Sequence, residues 1–277
     1  MHPLPMKSSA DSYGGSVGES VCSSDGTEIA FVRIGRGEPL VIVHGSLASG
    51  ETWMPVVRIL ADRFTCLVMD RRGHGRSGDS PSYAIEREYE DVEAVLAAAE
   101  SRVSLLGHSY GAICALGAAT RTHVTHLVLY EPPLPVHGSI ACGALADYRR
   151  AIETGDLDGA LTLGLTKFAG VTLEHIQALR RSPLWPKMVA LAPSWTREVE
   201  AVDQLGPNLS RYRDLLVPTL LLSGTLSSKY ALQDATEALA ATLKNVQLSR
   251  LEGQGHNAHS LAPTLVAERV AAFLLAQ

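Results

Sequence analysis

Five consecutive residues, Gly107-His108-Ser109-Tyr110-Gly111, have the types and spacing of a nucleophile turn. A serine hydroxyl attacks a carbonyl well only when a base takes its proton and fixed N–H donors hold the resulting oxyanion. The G-x-S-x-G pattern is short, and Gly14-Gly15-Ser16-Val17-Gly18 matches it as well. Context separates the two. Only Ser109 follows an apolar strand-like run, residues 103–106, and opens a run of small residues, 112–119, that suits a helix. At such a strand-to-helix turn the central residue takes strained backbone angles, and flanking glycines let strand and helix approach closely. The helix start then presents free N–H groups and a partial positive charge beside Ser109.

Three further segments carry groups suited to the same chemistry. His44-Gly45-Ser46-Leu47 ends an apolar run, where a turn can present a backbone amide opposite the one that follows Ser109. The expected oxyanion hole is therefore the Ser46 N–H with the Tyr110 N–H. Asp70-Arg71-Arg72-Gly73-His74-Gly75-Arg76-Ser77 follows the next apolar run, and Gly253-Gln254-Gly255-His256 follows the last one.

These segments need a scaffold that puts strand ends side by side, and the chain has the alternation for it. A hairpin over residues 19–23 and 28–34 turns at Asp25-Gly26. Strands at 40–44, 65–69, 103–107 and 124–130 then alternate with helices near 51–63, 87–100 and 110–120. The last third reads as strand 218–222, helix 231–243, strand 246–251 and helix 262–275. Between residues 131 and 218 lie helical stretches at 141–153, 158–168, 172–180 and 196–204, with Pro183, Pro186 and Pro193 as breaks, too long for a loop. The expected fold class is α/β: a mostly parallel eight-stranded sheet flanked by helices, with an inserted helical cap. The expected organisation is a flexible arm over 1–18, a core over 19–133 and 213–277, and a cap over 134–212.

Together, in this order and at strand ends, the four segments resemble the α/β-hydrolase superfamily over roughly residues 20–277. The resemblance implies a Ser, His and acid triad in which His256 takes the proton of Ser109, with His259 as a competitor three residues on. Dehalogenases and epoxide hydrolases of that superfamily carry Asp at the serine's position, so Ser109 argues against both. His44, His74 and His108 match positions that shape loops or pack beside the site. Gly45 and Leu47 join His44 and His108 as residues expected around the substrate pocket, with Trp53 and, from the cap, Trp185. The cap's Tyr148, Phe168, Leu184 and Trp195 add apolar surface for a hydrophobic small molecule, or pack the cap itself.

The acid is where the chain departs from the family's usual pattern. The usual position, after the strand that follows the cap, holds Ser227, a neutral hydroxyl. Some relatives carry the acid at the end of the strand before the cap, and there this chain has Glu131, followed by Pro132 and Pro133. Glu131 is the expected triad acid. The alternatives are Asp234, inside the helix at 231–243, and a Ser and His dyad.

Composition excludes other classes. With 24 Lys and Arg against 29 Asp and Glu, net charge −5, and no basic block, nucleic acid is not an expected partner. No apolar run approaches the length of a membrane span. Four scattered cysteines without paired spacing read as buried free thiols in a cytoplasmic protein, with no metal site. No phosphate-cradling loop points to a cofactor, and the sequence carries no signal for an oligomeric state. The expected function is a serine hydrolase acting on an ester, thioester or lactone through an acyl-Ser109 intermediate. The alternatives are a non-hydrolytic enzyme on the same scaffold (acyltransferase, cyclase, C–C lyase or cofactor-free oxygen enzyme) and a non-catalytic ligand receptor.

Overall fold

A computed structural model describes residues 18–99 and 102–276. The chain opens with the hairpin β1 (Gly18–Cys22) and β2 (Glu28–Gly35), turning through Gly26 at φ 84°. Next come β3 (Glu38–Val43), a 3-10 turn over Gly50–Trp53, α1 (Met54–Leu60), β4 (Phe64–Met69), α2 (Ile85–Ala97) and β5 (Ser104–His108). Then follow α3 (Tyr110–Ala119) and β6 (Leu127–Tyr130). Four helices come before the next strand: α4 (Leu145–Glu153), α5 (Leu157–Lys167), α6 (Leu173–Arg180) and α7 (Trp185–Leu205). The chain ends with β7 (Thr219–Gly224), α8 (Asp234–Thr242), β8 (Val246–Leu251), the short α9 (Ala258–Leu261) and α10 (Pro263–Leu275).

The strands form one sheet in the order β1-β2-β4-β3-β5-β6-β7-β8. β2 runs antiparallel to β1 and β4, and every other pair is parallel. A parallel sheet has to bury both faces, so its strands must be apolar on both sides. Val41 and Val43 of β3 lie in the core beneath α2, α3 and α8, while Leu40 and Ile42 face α1 and α10. A third apolar cluster belongs to the cap, where the rings of Tyr148, Phe168 and Trp195 meet at centroid distances of 5.1 to 6.1 Å.

Two expectations need correction. Pro186 and Pro193 do not break the cap's last helix, because α7 runs continuously for 21 residues. Pro186 sits in the first turn, where its missing N–H would have had no helical partner. Pro193 lies inside the helix, and its local cost is offset by a buried stripe of Ala192, Trp195, Val199 and Val202. Of the cysteines, only Cys66 and Cys114 are buried; Cys22 and Cys142 are exposed, and all four are free. Cys22 ends an edge strand that alternates between outward and inward side chains. Burial pushes the Cys66 thiol up to about 12 and the Cys114 thiol well above its ordinary value. Residues 1–17 of the expected arm lie outside the described residues, and with them four of the five residues of the second G-x-S-x-G match; the last residue of both, Gly18, opens β1. Among the described residues no helix is long and apolar enough to cross a membrane.

The loop after β4 is tied to the hairpin and to α2 by Arg72. Its fully buried guanidinium donates to both carboxylate oxygens of Asp91 at 2.7 Å and to Asp25 at 3.0 Å. Replacing Arg72 by Met leaves Asp91 buried without its partner. The expected loss is about 3 to 5 kcal/mol of unfolding free energy, read from urea denaturation curves.

Candidate active site

Ser109 caps α3 with φ 56° and ψ −125°, a left-handed conformation that a side-chain-bearing residue adopts only under constraint. The constraint is close packing. A Cβ on Gly107 would stand 2.4 Å from the Gly111 carbonyl oxygen and 2.6 Å from Ala112 Cα. A Cβ on Gly111 would stand 2.3 Å from the His44 carbonyl oxygen. The glycines of the motif thus let α3 sit against both β5 and the end of β3. Gly45 completes the approach, since a Cβ there would lie 2.8 Å from Ser109 Cβ and 3.4 Å from its Oγ. The Ser46 and Tyr110 amides belong to the two segments that meet at Ser109. Among the described residues neither amide donates a backbone hydrogen bond. Leu47, at φ 55°, turns the loop upward to pack against the cap's apolar cluster.

Glu131 follows β6 directly at φ 48° and is fully buried. Its Oε1 accepts from the Gly224 amide at 2.7 Å, at the end of β7, and its Oε2 accepts from His256 Nδ1 at 2.6 Å. The bond to Glu131 puts the proton of a neutral His256 on Nδ1 and leaves Nε2 as the ring's base. Glu131 therefore reaches from β6 to the place where the usual acid would arrive from β7. Ser227 instead stays in the turn after β7, its carbonyl accepting from Gln233 Nε2 at 2.9 Å. Asp234 pairs with His137 at 2.9 Å, at the start of α8.

His256 is held by two residues from neighbouring strand ends. His108 Nε2 donates to the His256 carbonyl at 3.0 Å, with the rings 4.5 Å apart, and the Tyr130 hydroxyl donates to the Gly255 carbonyl. The His256 side chain is 28% exposed, whereas His108 and His259 are buried. Burial, and then the neighbouring imidazoles, lower His108 well below its ordinary value and bring His259 to about 3. His259 stacks on the fully buried Trp53 at 4.9 Å, so both belong to the packing behind the site. Trp185 is buried in the cap, its indole N–H donating to Asp158 at 2.7 Å. His44 donates through Nδ1 to the Gly45 carbonyl at 2.7 Å and accepts the Arg71 amide at Nε2, which makes it a neutral brace of the loop after β3.

Sequence reasoning missed Tyr130 and Arg71. Arg71 is fully buried, its guanidinium 4.4 Å from the Tyr110 ring centroid, with Glu88 at 2.7 Å and the Gly45 carbonyl at 3.3 Å. Burial opposes its charge, but Glu198 and Glu88 outweigh that and hold the guanidinium well above its ordinary value. The only sequence signal was a doubled arginine in a Gly-rich loop, which reads equally well as surface charge. Among the described residues no His, Cys, Asp and Glu cluster has the makings of a metal site.

The buried histidines set a pH response. A His259 lowered from 6.5 to about 3 binds fewer protons folded than unfolded between those values, so stability is lost as pH falls through that window. His259→Phe keeps the stack on Trp53 and removes this proton debt. The variant is expected to lose about 2 kcal/mol less than wild type on going from neutral pH to about pH 5, read from urea midpoints at each pH.

Comparisons with known proteins bear on the fold and the family. The chain is 33% identical to an alpha/beta hydrolase from Sphaerobacter thermophilus, whose crystal structure superposes with a TM-score of 0.84 over 92% of this chain and 100% of that one. An esterase from Rhodococcus is 25% identical, with a TM-score of 0.71 over 93% and 98% of the two chains. An (E)-2-((N-methylformamido)methylene)succinate hydrolase from Acinetobacter baylyi is 25% identical over 249 residues, 88% of this chain and 93% of that one. The sequence profile of the alpha/beta hydrolase family matches residues 40–270, from the strand that leads into the oxyanion loop to the last helix, and the chain belongs to that family.

Proposed function

We propose that this protein is a serine hydrolase that cleaves an ester, thioester or lactone of a hydrophobic small molecule through an acyl-Ser109 intermediate. The observation that carries the reading is the 2.6 Å bond from His256 Nδ1 to a fully buried carboxylate, beside a serine held at φ 56°. Ser109 Oγ attacks the carbonyl carbon while His256 Nε2 takes its proton, and the Ser46 and Tyr110 amides stabilise the oxyanion. The leaving group departs with the proton from His256. Water, deprotonated by the same nitrogen, then attacks the acyl carbon and frees Ser109. Glu131 keeps the imidazole in the right tautomer and balances the imidazolium charge. The Rhodococcus esterase and the succinate hydrolase among the similar proteins support a hydrolytic reaction at a carbonyl. The apolar cap cluster, which reaches the oxyanion loop at Leu47, supports a hydrophobic substrate.

The test is burst and steady-state release of p-nitrophenol from short-chain and medium-chain esters. Wild type is expected to turn over, Ser109→Ala to lose the burst, and Glu131→Gln to fall by about 10⁴ in kcat. Asp234→Asn is expected to match wild type. If wild type neither turns over nor is labelled at Ser109 by a fluorophosphonate, the reading fails. Release of a different product class would then favour the transferase, cyclase, lyase or oxygen-enzyme alternatives, and tight retention without turnover a receptor.

A further inference from the structure

One carboxylate of the cap is buried beneath the oxyanion loop, and its partners are unlike those of a surface salt bridge. Glu198, in the middle of α7, is 1% exposed. Its Oε1 accepts from Arg71 Nη2 at 2.5 Å and from His74 Nε2 at 3.0 Å. Burial works against the charge, and Arg71, His74 and the Ser46 hydroxyl together outweigh it, holding the carboxyl well below the usual carboxylate range. His74 continues the chain of contacts, because its Nδ1 lies 3.0 Å from the Ala48 carbonyl oxygen.

Both partners of that ring, a carboxylate and a carbonyl, are acceptors, so the ring lies between α7 and the loop as a donor. Arg71 lies in the same buried cluster, between Glu88 and Glu198, and its Nη1 reaches the Gly45 carbonyl at 3.3 Å. The remaining neighbour, the His44 ring at 5.2 Å, is neutral. Ser46 and Ala48 are both residues of the loop whose Ser46 amide would hold the oxyanion.

We propose that Glu198 is a positioning residue of the oxyanion loop: acting through His74 and Arg71, whose other nitrogens reach the Ala48 and Gly45 carbonyls, it makes the geometry of the oxyanion hole depend on the seating of the cap. This rests on the hydrolase reading above.

The experiment is Glu198→Gln, which keeps the size of the side chain and removes its charge. The expected result is a fall in kcat of about ten- to a hundredfold with KM nearly unchanged, the signature of a donor displaced in the transition state. Amide hydrogen exchange across residues 45–49 is expected to speed up, while exchange in β5 and β6 stays as in wild type. Unchanged kcat and loop exchange would overturn the proposal. If wild type hydrolyses no ester, the hydrolase reading falls, yet the exchange measurement still decides whether Glu198 holds the loop. Should Glu198→Gln fail to fold, His74→Gln, which keeps one donor, is read by the same exchange experiment, with faster loop exchange expected and unchanged exchange counting against the proposal.

Discussion

Everything at this site depends on how closely three backbone segments can approach Ser109. The serine keeps its positive φ because β5, the first turn of α3 and the end of β3 leave it no other arrangement. That approach is possible only where Gly45, Gly107 and Gly111 stand, since a single Cβ at any of them would fall inside the contact distance of a neighbour. The strain is compensated by the packing of α3 into the core, where all ten of its residues are buried. The same approach brings the Ser46 and Tyr110 segments to the serine, and among the described residues neither amide donates a backbone hydrogen bond.

Glu131 reaches His256 by a route that the sheet order makes short. β6 and β7 are parallel neighbours, in register from Leu127 with Thr219 to Tyr130 with Leu222. A residue just past the end of β6 therefore lies beside the end of β7, and Glu131 spans the gap to the Gly224 amide and to His256. Its left-handed backbone turns the carboxylate inward. Tyr130 and His108, the last residues of β6 and β5, fasten the loop that carries His256. Burial holds His108 and His259 neutral, so the histidine that remains partly exposed is the one paired with the carboxylate.

Beneath the oxyanion loop lies a different kind of order. Buried charges are costly unless each meets its partners, and Arg71 meets them from three directions: Glu88 on α2, Glu198 on α7 and the Gly45 carbonyl. Such a cluster adds little net stability over apolar packing, but it allows few alternative arrangements. Helix α7 and the oxyanion loop thereby share one set of hydrogen bonds, and the cap is joined to the core at the place where chemistry would occur.

The sequence by itself determined the scaffold and the turn that carries Ser109. Apolar alternation and the strand-to-helix context of Ser109 are local signals, and sheet and turn follow them because local backbone preference and burial agree there. Glu131 was legible only as a charged residue between an apolar strand and two prolines; its bond to His256, 125 positions away, exists because β6 lies beside β7. Helix α7 ran through Pro193 because long-range packing of its buried stripe outweighed a local signal. Arg71 and Glu198, 127 positions apart, could not be paired from the sequence, since nothing local distinguishes a solvated arginine from one enclosed between two carboxylates. Which charges are buried together is decided by tertiary contacts alone, because the cost of desolvation depends on what surrounds a group in space and not on its neighbours along the chain.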